Sequence, residues 1–268
     1  MRRILAPGKL VILGEYGVLD GAGAIVAAVN RGVICEVSDG NGIVTPGDAS
    51  FVRAAIGARP GHYAFSDWNP TQLPEKPGFG GSAAATVAAV LACGRPIDDA
   101  YTVHAEVQGG GSGVDVFASI HGGVRHFPDG QEVHCPPIVA IWAGHSARTG
   151  PRVARYLAWP GRAGFALAMR ELVDTFREWP IGAVAEGYGL LRAMSVAADI
   201  DYDLPIFEQI STLALAYGGA AKPSGAGGGD VAVALLPDTD AQLHFERACD
   251  DAGLTRIPVH IAGPAGEG

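Results

Sequence analysis

The sequence predicts an α+β protein. Short runs rich in Val and Ile alternate with longer apolar-periodic runs in both halves of the chain. Of the 268 residues, 48% are apolar, enough for a sizeable core and too many for a disordered chain. The 39 glycines and 18 prolines collect in discrete loops with no collagen-like period, the pattern of backbone-mediated ligand sites. The length suits one large or two medium domains.

The elements follow in order. Residues 4–6, 10–13, 24–29 and 33–37 read as strands. Residues 39–77 are polar and turn-rich, with a weak strand signal at 61–65. Helical patterns occupy 82–93, 98–108 and 114–120, and 122–127 reads as a closing strand. Cys135-Pro136-Pro137 interrupts any regular element, so it divides the chain into 1–136 and 137–268. The second part opens with an apolar strand at 138–142. Helices are expected at 153–157, 164–178, 181–198 and 204–217, then a strand at 231–236, a helix at 241–252 and a strand at 257–261. No internal repeat or charge block is present.

Composition also bounds the partners. A net charge of −9 speaks against nucleic acid and membrane surfaces, which need a basic face, but not against a small anion met by a few placed cations. Only three of the 19 basic residues are lysines, Lys9, Lys76 and Lys222, and each lies in or beside a glycine-rich stretch. Cys35, Cys93, Cys135 and Cys249 are dispersed, without zinc or redox spacing. The N-terminal residues lack the apolar region of a signal peptide, and the longest apolar runs are well short of the ~20 residues of a membrane span. The expectation is a cytoplasmic protein, monomer or homodimer.

Four segments could carry chemistry. Pro77-Gly78-Phe79-Gly80-Gly81-Ser82-Ala83-Ala84 feeds a helix whose free N–H groups suit a phosphate; the same pattern also serves a capped core helix. It lacks the lysine of a Walker A loop and the preceding buried strand of a dinucleotide fold. In Gln108-Gly109-Gly110-Gly111-Ser112-Gly113-Val114-Asp115, Asp115 falls near a helix's first turn, as a helix-stabilising carboxylate or as a base or anchor for a hydroxyl. Lys222-Pro223-Ser224-Gly225-Ala226-Gly227-Gly228-Gly229-Asp230 has more glycine than a turn requires. In Pro7-Gly8-Lys9, the lysine sits among apolar residues, either snorkelling or paired with an anion. His121, His126 and His134 have spacings that place no pair on one helical face, and no G-x-S-x-G elbow occurs.

Together and in this order, these segments resemble the GHMP kinases, named for galactokinase, homoserine kinase, mevalonate kinase and phosphomevalonate kinase. Gly14-Glu15-Tyr16, QGGGSGVDV at 108–116, KPSGAGGGD at 222–230 and Gly144-His145-Ser146-Ala147-Arg148-Thr149 are most similar to the phosphomevalonate kinases. The resemblance implies a two-domain fold, an N-terminal ribosomal-protein-S5-like α/β domain plus a C-terminal ferredoxin-like α+β domain. It also implies ATP and Mg²⁺ as cofactors. Gly78, Gly80, Gly81, Ser82, Ala83 and Ala84 would take the nucleotide phosphates, with Ser82 on Mg²⁺ and Lys9 and Asp115 catalytic. Glu15, Tyr16, Ser112, Ser146, Arg148, Thr149, Lys222, Gly225 and Gly227 would face a small anionic acceptor, mevalonate 5-phosphate or similar.

Three departures accompany the resemblance: Gly81 stands where a serine is usual, the 20–77 stretch is short, and His104 occupies the place of an acidic metal ligand, with Glu106 on a solvated helix face. The alternatives are a mevalonate kinase or another small-alcohol kinase of the family, and a catalytically inactive ligand-binding protein of the same fold.

Overall fold

The computed structural model describes residues 2–268. The four strands expected at the start are two long ones, β1 (Arg2–Leu13) and β2 (Ala24–Ser38), paired antiparallel. The pairing register shifts between Ala6 and Gly8, a bulge that lets Pro7 sit inside a strand. Gly8 is obligatory there: a Cβ would lie 1.9 Å from the Arg31 carbonyl oxygen and 2.5 Å from that of Phe79. The three-residue interruption at 7–9 is therefore a kink in one strand, not a break between two.

The polar 39–77 stretch holds more structure than its composition suggests. It forms β3 (Asn41–Val44), α1 (Ser50–Ile56) and β4 (Gly61–Trp68). α1 escapes a periodicity search because it is two turns long; Asp48 starts it by accepting from the Ser50 N–H at 2.9 Å. Helices α2 (Gly81–Ala92), α3 (Asp99–Gln108) and α4 (Val114–His121) and strand β5 (Val124–Phe127) agree with expectation to within two residues. β4 and β5 both pair with β2, along residues 32–38 and 24–27 respectively. Ala83, Ala84, Ala88 and Ala89 of α2 are fully buried, so small side chains bring this helix close to the sheet.

The second sheet begins with β6 (Ile138–Trp142). Helices α5 (Thr149–Ala158), α6 (Arg162–Thr175), α7 (Pro180–Ala197) and α8 (Pro205–Ala216) follow, the last two each opening on a proline. The chain continues through β7 (Ala220–Pro223), β8 (Val231–Leu235), α9 (Thr239–Asp251) and β9 (Arg256–Ile257), and β10 (Gly266–Glu267) returns to β1. The strand orders are β10-β1-β2-β4-β3, with β5 on β2, and β7-β8-β6-β9. β7 runs into the glycine-rich 222–230 segment, and as the edge of its sheet it tolerates Pro223. The strand expected at 257–261 stops at Ile257 because Pro258 has no N–H to donate.

Leu10, Ile12 and Leu13 of β1 share one apolar cluster with Val139, Ile141 and Leu235 of the second sheet. The glycine-rich loops gather beside this junction.

Candidate active site

The β1 bulge fixes Lys9. Its N–H donates to the Phe79 carbonyl at 2.8 Å, which ties the strand to the 77–84 loop. Its side chain then passes Gly80, where a Cβ would meet Lys9 Cγ at 3.1 Å and Asp115 Oδ2 at 3.3 Å. Gly80 has φ +72°, so a side chain there is disfavoured twice over. Lys9 Nζ lies 3.8 Å from Asp115 Oδ1, and a Cβ on Gly225 would be 3.7 Å from the same ammonium. The lysine side chain is 9% exposed and the aspartate 33%, so this ion pair opens toward solvent on the carboxylate side.

Gly113 (φ +77°) turns the chain into α4 and places Asp115 in its first turn, where the helix dipole favours a carboxylate. Ser112 Oγ accepts weakly from the Val114 N–H at 3.4 Å. At the start of α2, Ala84 N–H donates back to the Gly80 carbonyl at 3.1 Å, so the N–H groups of Gly81, Ser82 and Ala83 precede the first intrahelical bond, as at any helix start. Gly81 has open space around it, so the missing serine leaves room at the loop.

Ser82 Oγ is 3.2 Å from His104 Nε2. Ala100, Val103 and His104 form the buried stripe of α3, an i, i+3, i+4 set legible in the sequence. Burial pushes the His104 imidazole below the usual histidine range, with the Asp115 carboxylate pulling the other way. Glu106 is exposed, as expected.

Beside Ser82 lies a cavity of about 410 Å³. Phe51, Phe65, Trp68 and Asn69 line it, so the shortened 20–77 stretch still encloses a pocket. Arg31 braces its rim by donating to the carbonyls of Asn69 and Pro258.

The third glycine loop is held from beneath. Lys222 is fully buried and donates to Glu15 Oε1 and, at 3.0 Å, to the Pro223 carbonyl. Burial lowers its pKa, and Glu15 opposes that shift. Glu15 Oε1 also accepts from Gly225 N–H at 3.3 Å, Tyr16 Oη donates to the Ala226 carbonyl at 2.7 Å, and Ser224 Oγ accepts from Val11 N–H at 2.8 Å. Tyr16 takes φ +60°, a strained value for a tyrosine. Gly227 rests on Tyr202, where a Cβ would be 2.2 Å from the ring.

The structure thus brings Lys9, Asp115, Gly78, Gly80, Ser82 and Gly225 to one place. Glu15 and Lys222 neutralise each other inside the protein instead of facing an opening. Ser146 is exposed and strapped to the cavity's rim, its N–H donating to Glu75 Oε2 at 2.7 Å and its hydroxyl to the Lys76 carbonyl at 2.8 Å. Arg148 and Thr149 are exposed at the start of α5.

Two neighbours escaped the sequence reading. Asp230 has φ +61°, and its carboxyl lies so close to Gly78 that a Cβ there would be 2.6 Å from Oδ2. Burial raises its pKa, opposed by an Ala147 N–H bond and by Lys9, Arg152 and His145. Arg152 donates to the carbonyls of Asp201 (2.7 Å) and Arg148 (2.9 Å), and a Cβ on Gly228 would strike its guanidinium at 1.9 Å. A helix expected to start at 153 left Arg152 outside; α5 starts at Thr149 and puts it in the first turn.

Comparison with known proteins places this arrangement. No family model matches the chain. The phosphomevalonate kinase of Streptomyces sp. (strain CL190) is 28% identical, with 95% of each chain aligned. The mevalonate kinase of Pyrococcus abyssi is also 28% identical, over 96% of this chain and 94% of its own. The structure of Streptococcus pneumoniae phosphomevalonate kinase in complex with phosphomevalonate and AMPPNP superposes with a TM-score of 0.81 at 18% identity, covering 98% of this chain and all of the other. In sequence along nearly its whole length, and in fold, the chain is similar to the GHMP kinases.

The fold expected from the resemblance is therefore the observed one, and the relatives that the chain resembles along nearly its whole length are small-molecule kinases. The alignments with the two relatives run over 358 and 326 positions against 268 residues here, so those GHMP kinases carry segments that this one lacks. No helix among the described residues is long and apolar enough to cross a membrane.

The Mg²⁺ expected at Ser82 finds a mismatched donor set. Ser82 offers one oxygen, its hydrogen-bonded neighbour is an imidazole, and the carboxylate of Asp115 is engaged by Lys9. Mg²⁺ takes oxygen ligands, so these side chains suit it poorly.

Proposed function

We propose that the chain is an ATP-dependent kinase that converts mevalonate 5-phosphate to mevalonate 5-diphosphate. The observation that carries this reading is the Lys9–Asp115 pair, 3.8 Å apart, set directly across Gly80 from the open N-terminus of α2. Phosphoryl transfer needs little covalent work from a protein: it needs the two substrates aligned and the charge of the moving group offset.

In this reading residues 1–136 hold ATP and residues 137–268 complete the acceptor site. The adenosine occupies the cavity, and the phosphates follow Gly78–Ala84 to the helix end, where free N–H groups meet their charge. The acceptor hydroxyl sits on Asp115, which orients it and accepts its proton. The hydroxyl oxygen then bonds to the γ-phosphorus as the bond to the ADP oxygen breaks. Lys9 faces the oxygens on which charge builds. The acceptor's phosphate and carboxylate meet the cations of the 148–152 segment, Arg148 with Arg152 beside it. Ser112, Ser146 and Thr149 supply hydroxyls. Glu15, Tyr16 and Lys222 act from beneath by holding Gly225 and Gly227 in place.

A second reading keeps the chemistry with mevalonate as acceptor. It is favoured by the mevalonate kinase relative, as similar in sequence as the phosphomevalonate kinase. Phosphorus NMR of the protein with ATP and either acceptor separates the two. The first reading predicts paired diphosphate signals from mevalonate 5-phosphate. A monophosphate signal from mevalonate alone would transfer the assignment to the second.

A further inference from the structure

One chemically capable side chain at the site has no part in the proposed transfer. His104 is 5% exposed, and its ring stacks on Phe51 with centroids 5.2 Å apart and planes at 29°. Nε2 of the stacked ring lies 3.2 Å from Ser82 Oγ. Ser82 and Phe51 both line the cavity, so the pair lies where its floor meets the first turn of α2.

The spacing is that of two adjacent ligands on one ion. Bonds of about 2.1 Å to both atoms would enclose an angle of about 100°, between the octahedral and tetrahedral values. The chemistry of the pair is equally selective. A hydroxyl beside an imidazole suits first-row transition ions, whereas Mg²⁺ requires oxygens and keeps much of its water.

We propose that Ser82 and His104 form a two-donor cation site that takes a first-row transition ion in preference to Mg²⁺. This rests on the kinase reading, since nucleotide phosphates on the adjoining loop would supply the remaining negative ligands. His104 then sets the metal preference of the nucleotide complex.

The test uses the full chain without a histidine tag, with Mn²⁺ as the probe and AMPPNP as a nucleotide that is not turned over. Pulsed electron paramagnetic resonance of the Mn²⁺–AMPPNP complex should show coupling to an imidazole nitrogen, absent in His104→Gln. Calorimetric titration should give wild type a preference for Mn²⁺ over Mg²⁺ at least tenfold greater than that of His104→Gln, with His104→Glu moving toward Mg²⁺. The glutamine can still bond Ser82, and its unfolding temperature shows whether packing survived; if it does not fold, the nitrogen coupling of the wild type alone decides. No nitrogen coupling in the wild type overturns the proposal and leaves His104 a link between α2 and α3. Neither measurement involves turnover. A failure of the kinase reading would show separately, as no acceptor-dependent ADP with any ion.

Discussion

The substitution Glu15→Gln tests whether the third glycine loop stands on a buried ion pair. Lys222 is fully buried and Glu15 is 3% exposed. With the carboxylate gone, the Lys222 ammonium keeps the Pro223 carbonyl at 3.0 Å and the Val11 carbonyl at 3.5 Å, one good acceptor and one marginal. Removing one partner of a buried pair costs about 3–5 kcal/mol because the remaining charge is left uncompensated. The glutamine oxygen can still accept a hydrogen bond, which places this case near the lower end, about 3 kcal/mol. For a chain of this size that lowers the unfolding temperature by about 6–12 °C. Adding Lys222→Met removes the stranded charge, so the double variant should return to within about 1 kcal/mol of wild type. Thermal and urea unfolding followed by circular dichroism measure both. A single variant that melts within about 1 °C of wild type, or a double variant less stable than the single, would mean that the loop does not stand on this ion pair.

Two further outcomes follow from the site. Gly80→Ala puts a Cβ at φ +72° and 3.1–3.3 Å from Lys9 and Asp115; it should cost about 1–2 kcal/mol of stability and lower kcat at least tenfold, read by melting and steady-state kinetics. Asp230 has a raised pKa, so the stability it contributes is present below about pH 3.8, its unfolded value, and is lost as pH rises through the folded value. Asp230→Asn removes that loss. The variant should melt above wild type at pH 7–8, with the gain shrinking toward pH 4; a variant less stable than wild type at pH 7 contradicts it.

Much of the fold was legible because its signals are periodic. The alanine-rich run at 82–93 could only be a close-packed helix, and the strand at 138–142 was read to the residue. What periodicity missed was short or edge structure: α1 with two turns, β7 ending in Pro223, and β10 with two residues. The site was legible where glycine marks a close approach, as at Gly80 and Gly225. It was obscure where direction matters. A lysine in a glycine loop looks like a phosphate ligand whether it points out, or inward onto Glu15 as Lys222 does. Asp230 and Arg152 were hidden for a related reason: only the fold sets a left-handed aspartate against Gly78 and a helix start against Gly228.

In the proposed reaction Lys9 and Asp115 catalyse phosphoryl transfer to a phosphorylated hydroxy acid. ADP release with ATP and a panel of acceptors, comparing wild type with Asp115→Asn, tests it directly. Wild type should turn over mevalonate 5-phosphate, and kcat should fall by about 10²–10⁴ in the variant, the range of a lost general base. Unchanged turnover in Asp115→Asn, or ADP release that no acceptor stimulates, contradicts it.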